Sequence, residues 1–446
     1  MSESKATEKF NVKQTFLIGL AFFTSEIAWA LYNAQVPLLL TSYISLLGLI
    51  GLAMALDNIL GLILQPLTGS LSDNTRTRYG RRMPYLIVGV PLGALFYALI
   101  PTQTSLITLL LWMFFFSIFM GFYRAPAVAL MPDFVRPVHR SKGNAIINLM
   151  GGVGVAFGYG FSILLDSFAD PKLGLQILFI IISFIMVGAL IVLLLKIKEK
   201  DSYAYQLATQ MEAKEGNKVK EKKEKLGLIG SFKDIMTEKD KSTIFVLLAI
   251  FFWFIGYQGV VALISIYGVN VLGYTPGLAG FLPFLVTVPL LITIYPLSIV
   301  ATKIGRRKAI KIGVIIWIIM LIVGFFLGLA KVSLIIMAIP LAFLGIGWAL
   351  INVNSIVIVW ELAPTHDKIG TYTGLYYFFS YMAAIFGPMI VGFMTDAFGL
   401  PTLLINASIF FVAALICMFF VKRGEIELTE EEKYERQKAI LEASKA

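Results

Sequence analysis

Twelve long apolar stretches, separated by polar segments, run through the chain over residues 14–39, 45–71, 84–101, 105–132, 144–166, 173–196, 242–271, 276–301, 309–329, 332–361, 371–396 and 401–421. Crossing the hydrocarbon layer takes about 20 residues of helix, and each stretch supplies roughly that length. The pattern predicts an all-α membrane protein with twelve transmembrane helices. The first stretch is longer than the apolar core of a signal peptide and lacks a convincing small-residue cleavage site, so it reads as a retained helix.

Composition agrees with a lipid solvent. Of 446 residues, 58% are apolar and 14% charged, against about a quarter charged in a soluble domain. The formal charge of +10 would suggest a nucleic-acid partner in a soluble protein, but here the charges sort by loop. The termini and alternate loops hold 34 of the 37 lysines and arginines; the opposite loops hold Lys172 and Lys331, and Arg124 lies inside a stretch. Basic residues stay on the cytoplasmic side of inserted helices, which predicts a multi-pass cell-membrane protein with both termini cytoplasmic. Residues 197–241 have the mixed charge of a solvated connector. The predicted organisation is a tail (1–13), a six-helix bundle (14–196), a linker (197–241), a second bundle (242–422) and an acidic tail (423–446). Cys417 is the only cysteine, so no intramolecular disulfide or multi-cysteine metal site can form.

The two bundles repeat one another. Gly80-Arg81-Arg82 recurs 225 positions later as Gly305-Arg306-Arg307, and His139 and Lys142 recur as His366 and Lys368 at offsets of 227 and 226. Agreement of two loops on one offset indicates duplication, giving two pseudo-symmetric six-helix bundles related by an axis along the membrane normal.

That architecture, with the loop GSLSDNTRTRYGRR (69–82), resembles the major facilitator superfamily, whose two halves rock about a central site. Several segments are similar to the sucrose/proton symporters and their bacterial relatives: LQPL (64–67) followed by RYGRRMPYLIVG, IAWAL (27–31), KGNAI (142–146), GIGWALINVNSI (345–356) and IGTYTGLYYFF (369–379). Two functional residues of that group are replaced, an Asp by Ser117 and an Arg by Val128. DNILG (57–61) resembles the second helix of the glycoside-pentoside-hexuronide cation symporters, where the Asp matching Asp57 belongs to the cation site. The second acidic residue of that site falls on Ala53, which implies protons rather than sodium, and the sugar-binding Asp of the fourth helix falls on Arg124.

Ionisable side chains in mid-span cost about 2.5–3.5 kcal/mol on insertion scales, so each calls for a partner or a task. Glu26, Asp57 and Arg124 are such residues, all in the first half, and form a candidate proton-coupling set: either carboxylate could alternate between protonated and Arg124-paired. A purely structural intramembrane ion pair is the competing reading. Candidate substrate-binding residues are Trp29 and Asn33, which share a stripe with Glu26, together with Asn58, Tyr123, Arg124, Trp253, Tyr257, Gln258, Trp348, Asn352, Asn354 and Tyr376. Flat rings pack on the C–H faces of a sugar and amides satisfy its hydroxyls, although the same residues also serve as packing and as glue between helices. Asp73 with Arg81 and Arg82, and the copy at Gly305, Arg306 and Arg307, form a candidate cytoplasmic latch. Glu361, near the end of the tenth stretch, reads as a cap or gate residue.

No GxxxxGKS or GxxxxGKT loop is present, no histidine lies in a span and one cysteine remains, which argues against nucleotide use and enzymatic catalysis. The expected function is proton-coupled symport of a disaccharide or α-glucoside such as maltose or sucrose, with the sugar implied by the resemblance alone. A uniporter or exporter of another solute is the alternative, and a non-transporting membrane receptor the alternative from another class. Expected partners are the sugar and the bilayer, without nucleic acid, cofactor or bound metal, and with the protein as a monomer.

Overall fold

The computed structural model describes residues 10–136, 139–206, 240–364 and 368–425. Among them twelve spans are long and apolar enough to cross a membrane. The first half comprises α1 (Val12–Leu40), α2 (Leu47–Met54), α3 (Leu56–Asn74), α4 (Met83–Leu99), α5 (Leu106–Phe134), α6 (Arg140–Ser162) and α7 (Pro171–Lys196). The second comprises α8 (Ser242–Asn270), α9 (Pro276–Ile304), α10 (Arg306–Leu329), α11 (Leu334–Leu362), α12 (Ile369–Phe398) and α13 (Leu403–Phe419). Most of the 197–241 linker, most of both tails and His366 lie outside the described residues.

Helix starts follow capping chemistry. The Asn11 side chain accepts from Gln14 N at 2.9 Å, Ser105 and Thr108 form a reciprocal box, and Asp170 accepts from Lys172 N at 2.9 Å. Each bond satisfies an amide that the first turn of a helix leaves without a partner.

The second span, Leu47–Asn74, is one membrane crossing as expected but carries an irregularity within it. The second apolar stretch is two helices, α2 and α3, separated at Ala55, whose N–H is shared between the carbonyls of Gly51 and Leu52. This tighter turn places Asp57 in the first turn of α3.

The halves meet closely at one end. α2 packs on α12 so tightly that a Cβ on Gly51 would stand 2.2 Å from the Pro388 carbonyl oxygen, and one on Gly392 2.6 Å from that of Leu47. α9 packs on α6 and α1, where Gln35 Nε2 donates to Pro276 O at 3.1 Å. This is the face opposite the GRR loops. Toward the basic face the halves part: Ile292 and Tyr295 of α9 are 69% and 73% exposed, and Gly370 and Gly374 of α12 have nothing within 4 Å of a built Cβ.

Candidate functional site

Between the halves lies a central cavity of about 400 Å³. Its first-half wall carries Glu26, Trp29 and Asn33 of α1, Asp57 and Asn58 of α3, Arg124 of α5 and Tyr159 of α6. The α1 residues fall at i, i+3 and i+7, one stripe of a helix, so the pattern read from sequence does face the cavity. The second-half wall carries Tyr257 and Gln258 of α8, Thr287 of α9, Trp317 of α10 and Trp348 and Asn352 of α11.

The two walls differ in chemistry. Arg124 Nη2 lies 3.2 Å from Glu26 Oε1, an ion pair whose members are partly open to the cavity. Asp57 accepts from Asn58 Nδ2 at 2.9 Å and lies within electrostatic reach of Arg124. One guanidinium therefore serves two carboxylates on this wall. The facing wall is aromatic: Tyr257 stacks on Trp348 with ring centroids 4.0 Å apart and planes 6° from parallel. Trp317 stands edge-on to both, 5.8 and 5.6 Å away. A wall of flat rings opposite a wall of charges and amides suits a solute with C–H faces and many hydroxyl groups.

Four predicted residues do not line this cavity. Trp253 is fully buried inside the second half: i and i+4 differ by about 40° around a helix, enough to turn it away while Tyr257 faces in. Asn354 stands two residues from Asn352, hence on the other side of α11, and its amide donates to Leu350 O of its own helix. Tyr376 is buried with its hydroxyl 3.1 Å from Ser355 Oγ, tying α12 to α11. Tyr123 adjoins Arg124 but points into the first-half core, where its hydroxyl donates to Met120 Sδ.

Tyr159 and Trp317, which do line the cavity, were missed by the sequence reading. Trp317 has no polar neighbour at helical spacing that would mark it. Tyr159 is hidden in a glycine-rich stretch read as packing, yet its hydroxyl reaches Asn33.

On the basic face both GRR loops are held by carboxylates. Arg81 Nη2 pairs with Asp133 Oδ1 at 2.8 Å, and Arg82 bridges Asp133 at 3.1 Å and Asp73 at 2.5 Å. Glu199, after α7, accepts from the backbone N–H groups of Arg81, Arg82 and Met83 at 2.8–2.9 Å. Burial pushes the Glu199 carboxyl above its ordinary value, and those three N–H groups work against the shift. In the second half Arg306 pairs with Glu361 at 2.7 Å, while Glu425 accepts from the N–H groups of Arg306 and Arg307 and pairs with the Arg307 side chain at 3.1 Å. Gly80 and Gly305 have φ of +115° and +95°, a region L side chains avoid, which lets each loop wrap its glutamate. The duplication therefore extends to Asp133 with Glu361 and Glu199 with Glu425, 228 and 226 positions apart. Among the described residues these ion pairs join elements within one half, so the network around Asp73 ties the first half together rather than bridging the two.

On the opposite face, Asp166 follows α6 and accepts from Gly277 N at 3.0 Å, Leu278 N at 3.1 Å and Thr275 Oγ1 at 2.5 Å, all at the start of α9. Asp396 of α12 accepts from Leu47 N at 2.8 Å and Gly48 N at 3.0 Å at the start of α2.

Comparison with known proteins agrees with this architecture. The Major Facilitator Superfamily profile matches residues 18–381 and again 272–444. The proton-associated sugar transporter A of Mus musculus is 32% identical over 157 residues, 32% of this chain and 21% of that protein. The human membrane-associated transporter protein is 39% identical over 69 residues, 16% of this chain and 13% of that protein. The chain thus spans about a fifth of the length of the first relative and less of the second. A bacterial homolog of the human lysosomal transporter Spinster, in an inward-facing and occupied conformation, superposes with a TM-score of 0.66 at 12% identity, covering 91% of this chain and 93% of that one. The nucleoside transporter NupG superposes with a TM-score of 0.69 at 10% identity, covering 92% and 100%. At these identities the structures speak to the fold alone, while the profile covers most of the sequence. The chain belongs to the major facilitator superfamily and is a multi-pass membrane transporter, not an enzyme.

Proposed function

We propose that this transporter is a proton-coupled sugar symporter of the cell membrane, with the basic face and both termini in the cytoplasm and the cavity open inward in the conformation described. The observation that carries the reading is the imbalance on the first-half wall: Glu26 and Asp57 share the single cation Arg124. One of the two carboxylates is always short of a full partner in a medium of low dielectric, which favours uptake of a proton. A neutral solute is the natural companion of that proton, because the wall facing it is built of rings and amides rather than charges. The relative named a proton-associated sugar transporter and the resemblance to the sucrose/proton group point the same way.

In the proposed cycle Asp57 is protonated when the cavity opens outward. Arg124 is then held by Glu26 alone, and its remaining N–H groups donate to sugar hydroxyls. The sugar packs against Trp348 and Tyr257, with Asn33, Asn58, Gln258 and Asn352 satisfying its other hydroxyls. After the halves rock, Asp57 releases its proton inward and again competes for Arg124, which loosens the sugar. Protons are preferred to sodium because Ala53, one turn before Asp57, removes a second oxygen ligand.

The test is substitution of each carboxylate in proteoliposomes. Asp57→Asn is expected to abolish accumulation driven by a pH gradient while sparing sugar counterflow. Retention of gradient-driven accumulation by both Asp57→Asn and Glu26→Gln would end the coupling scheme.

A further inference from the structure

Asp166 and Asp396 are related by the same duplication as the GRR loops, 230 positions apart, and do the same thing in opposite directions. Asp166 belongs to the first half and binds the α9 N-terminus of the second, whereas Asp396 belongs to the second half and binds the α2 N-terminus of the first. The first amides of a helix have no intrahelical acceptor and carry its positive dipole end. An aspartate normally caps its own helix, as Asp170 caps α7. Here each cap is supplied across the interface that must open for transport.

We propose that Asp166 and Asp396 are a reciprocal pair of breakable clamps that hold the opposite face closed and set how readily the transporter opens on that side. Both contacts lie at the sealed end, next to close approaches between the halves, Gly51 on Pro388 and Gly280 on Gln35 and Ser162. Thr275 is bound into the Asp166 clamp through its hydroxyl and also accepts from Leu278 N, so α9 changes between a cap shared with the other half and one of its own. Opening therefore leaves α9 with Thr275 as a resident cap. α2 begins after Leu46, which has no capping side chain. The two clamps are consequently unequal: the Asp396 clamp leaves the more poorly satisfied helix start when it breaks.

The inference concerns the conformational balance and does not depend on the sugar or on proton coupling. It is tested in full-length protein carrying Cys417→Ser and spin labels at Ser42 and Asn270, exposed positions on the opposite face of the two halves. The readout is the distance distribution without substrate. Asp166→Ala and Asp396→Ala are each expected to raise the open population about tenfold or more, as loss of charge-assisted bonds implies, with Asp396→Ala the larger. Asp396→Asn, which keeps an acceptor, is expected to fall between wild type and Asp396→Ala. Asp170→Ala removes a cap of the same chemistry on the same face but within one half, and is expected to leave the distribution unchanged. Two results would overturn the proposal: an unchanged distribution in the folded Asp166→Ala/Asp396→Ala double variant, or an equal shift in Asp170→Ala.

Discussion

Substituting Gly51 by alanine puts one methyl group into the seal between the halves. The new Cβ would stand 2.2 Å from the Pro388 carbonyl oxygen, 2.4 Å from its carbon and 2.8 Å from Met389 N. All three are backbone atoms of α12, so no side chain can move aside, and α2 must retreat by about 1 Å to restore ordinary van der Waals separation. Overpacking of this kind costs about 1–3 kcal/mol. The contact joins different halves at the sealed end, so nearly all of that cost falls on the closed form of the opposite face. At about 1.4 kcal/mol per decade, Gly51→Ala shifts the balance toward opening by about five- to 150-fold. The Ser42–Asn270 distance distribution measures this directly. Gly374→Ala, on α12 at the parted end with nothing within 4 Å, is the matched control, with no change or slight stabilisation expected from helix propensity. A Gly51→Ala protein that melts earlier but keeps the wild-type distribution would refute the location of the seal, as would an equal shift in Gly374→Ala.

Other substitutions probe separate parts of the account. Trp348→Ala removes the ring stacked on Tyr257 and is expected to weaken sugar binding about tenfold or more, read as a raised half-saturation in counterflow, whereas Trp360→Ala at the basic end of the same helix should leave it unaltered. Gly158→Ala would set a Cβ 2.4 Å from Ile27 O within one half; that packing persists in both conformations, so lower thermal stability without a conformational shift is expected. Glu199 has its carboxyl raised by burial, so its folded form favours the proton: its contribution to stability is full at acid pH and is lost as pH rises through the raised value. The melting temperature of Glu199→Gln relative to wild type should therefore climb as pH rises above the ordinary glutamate range, and a flat difference would contradict the assignment.

Much of the fold was legible because lipid imposes a length and a hydropathy on every span, and the helices of the structure begin and end within a few residues of the apolar stretches. The irregularity at Ala55 was not legible, since neither proline nor glycine marks it. Within the site, the stripe Glu26, Trp29 and Asn33 was readable because helical spacing alone gives a shared face. Trp253 and Asn354 failed for the same geometric reason: one turn along or two residues aside is enough to leave a cavity, and sequence does not say where the cavity is centred. Trp317 and the aspartates at 166 and 396 depend on contacts between distant segments. Only the duplication could have hinted at the last pair, because their offset is close to that of the GRR loops.

The most direct measurement of the central claim is internal pH in proteoliposomes holding a pH-sensitive dye, with maltose, sucrose, trehalose and melibiose added in turn and no gradient imposed. The account predicts acidification of the lumen by at least one of these sugars, and its loss in Asp57→Asn. Silence with all four, from wild-type protein shown to be folded and inserted, would contradict it.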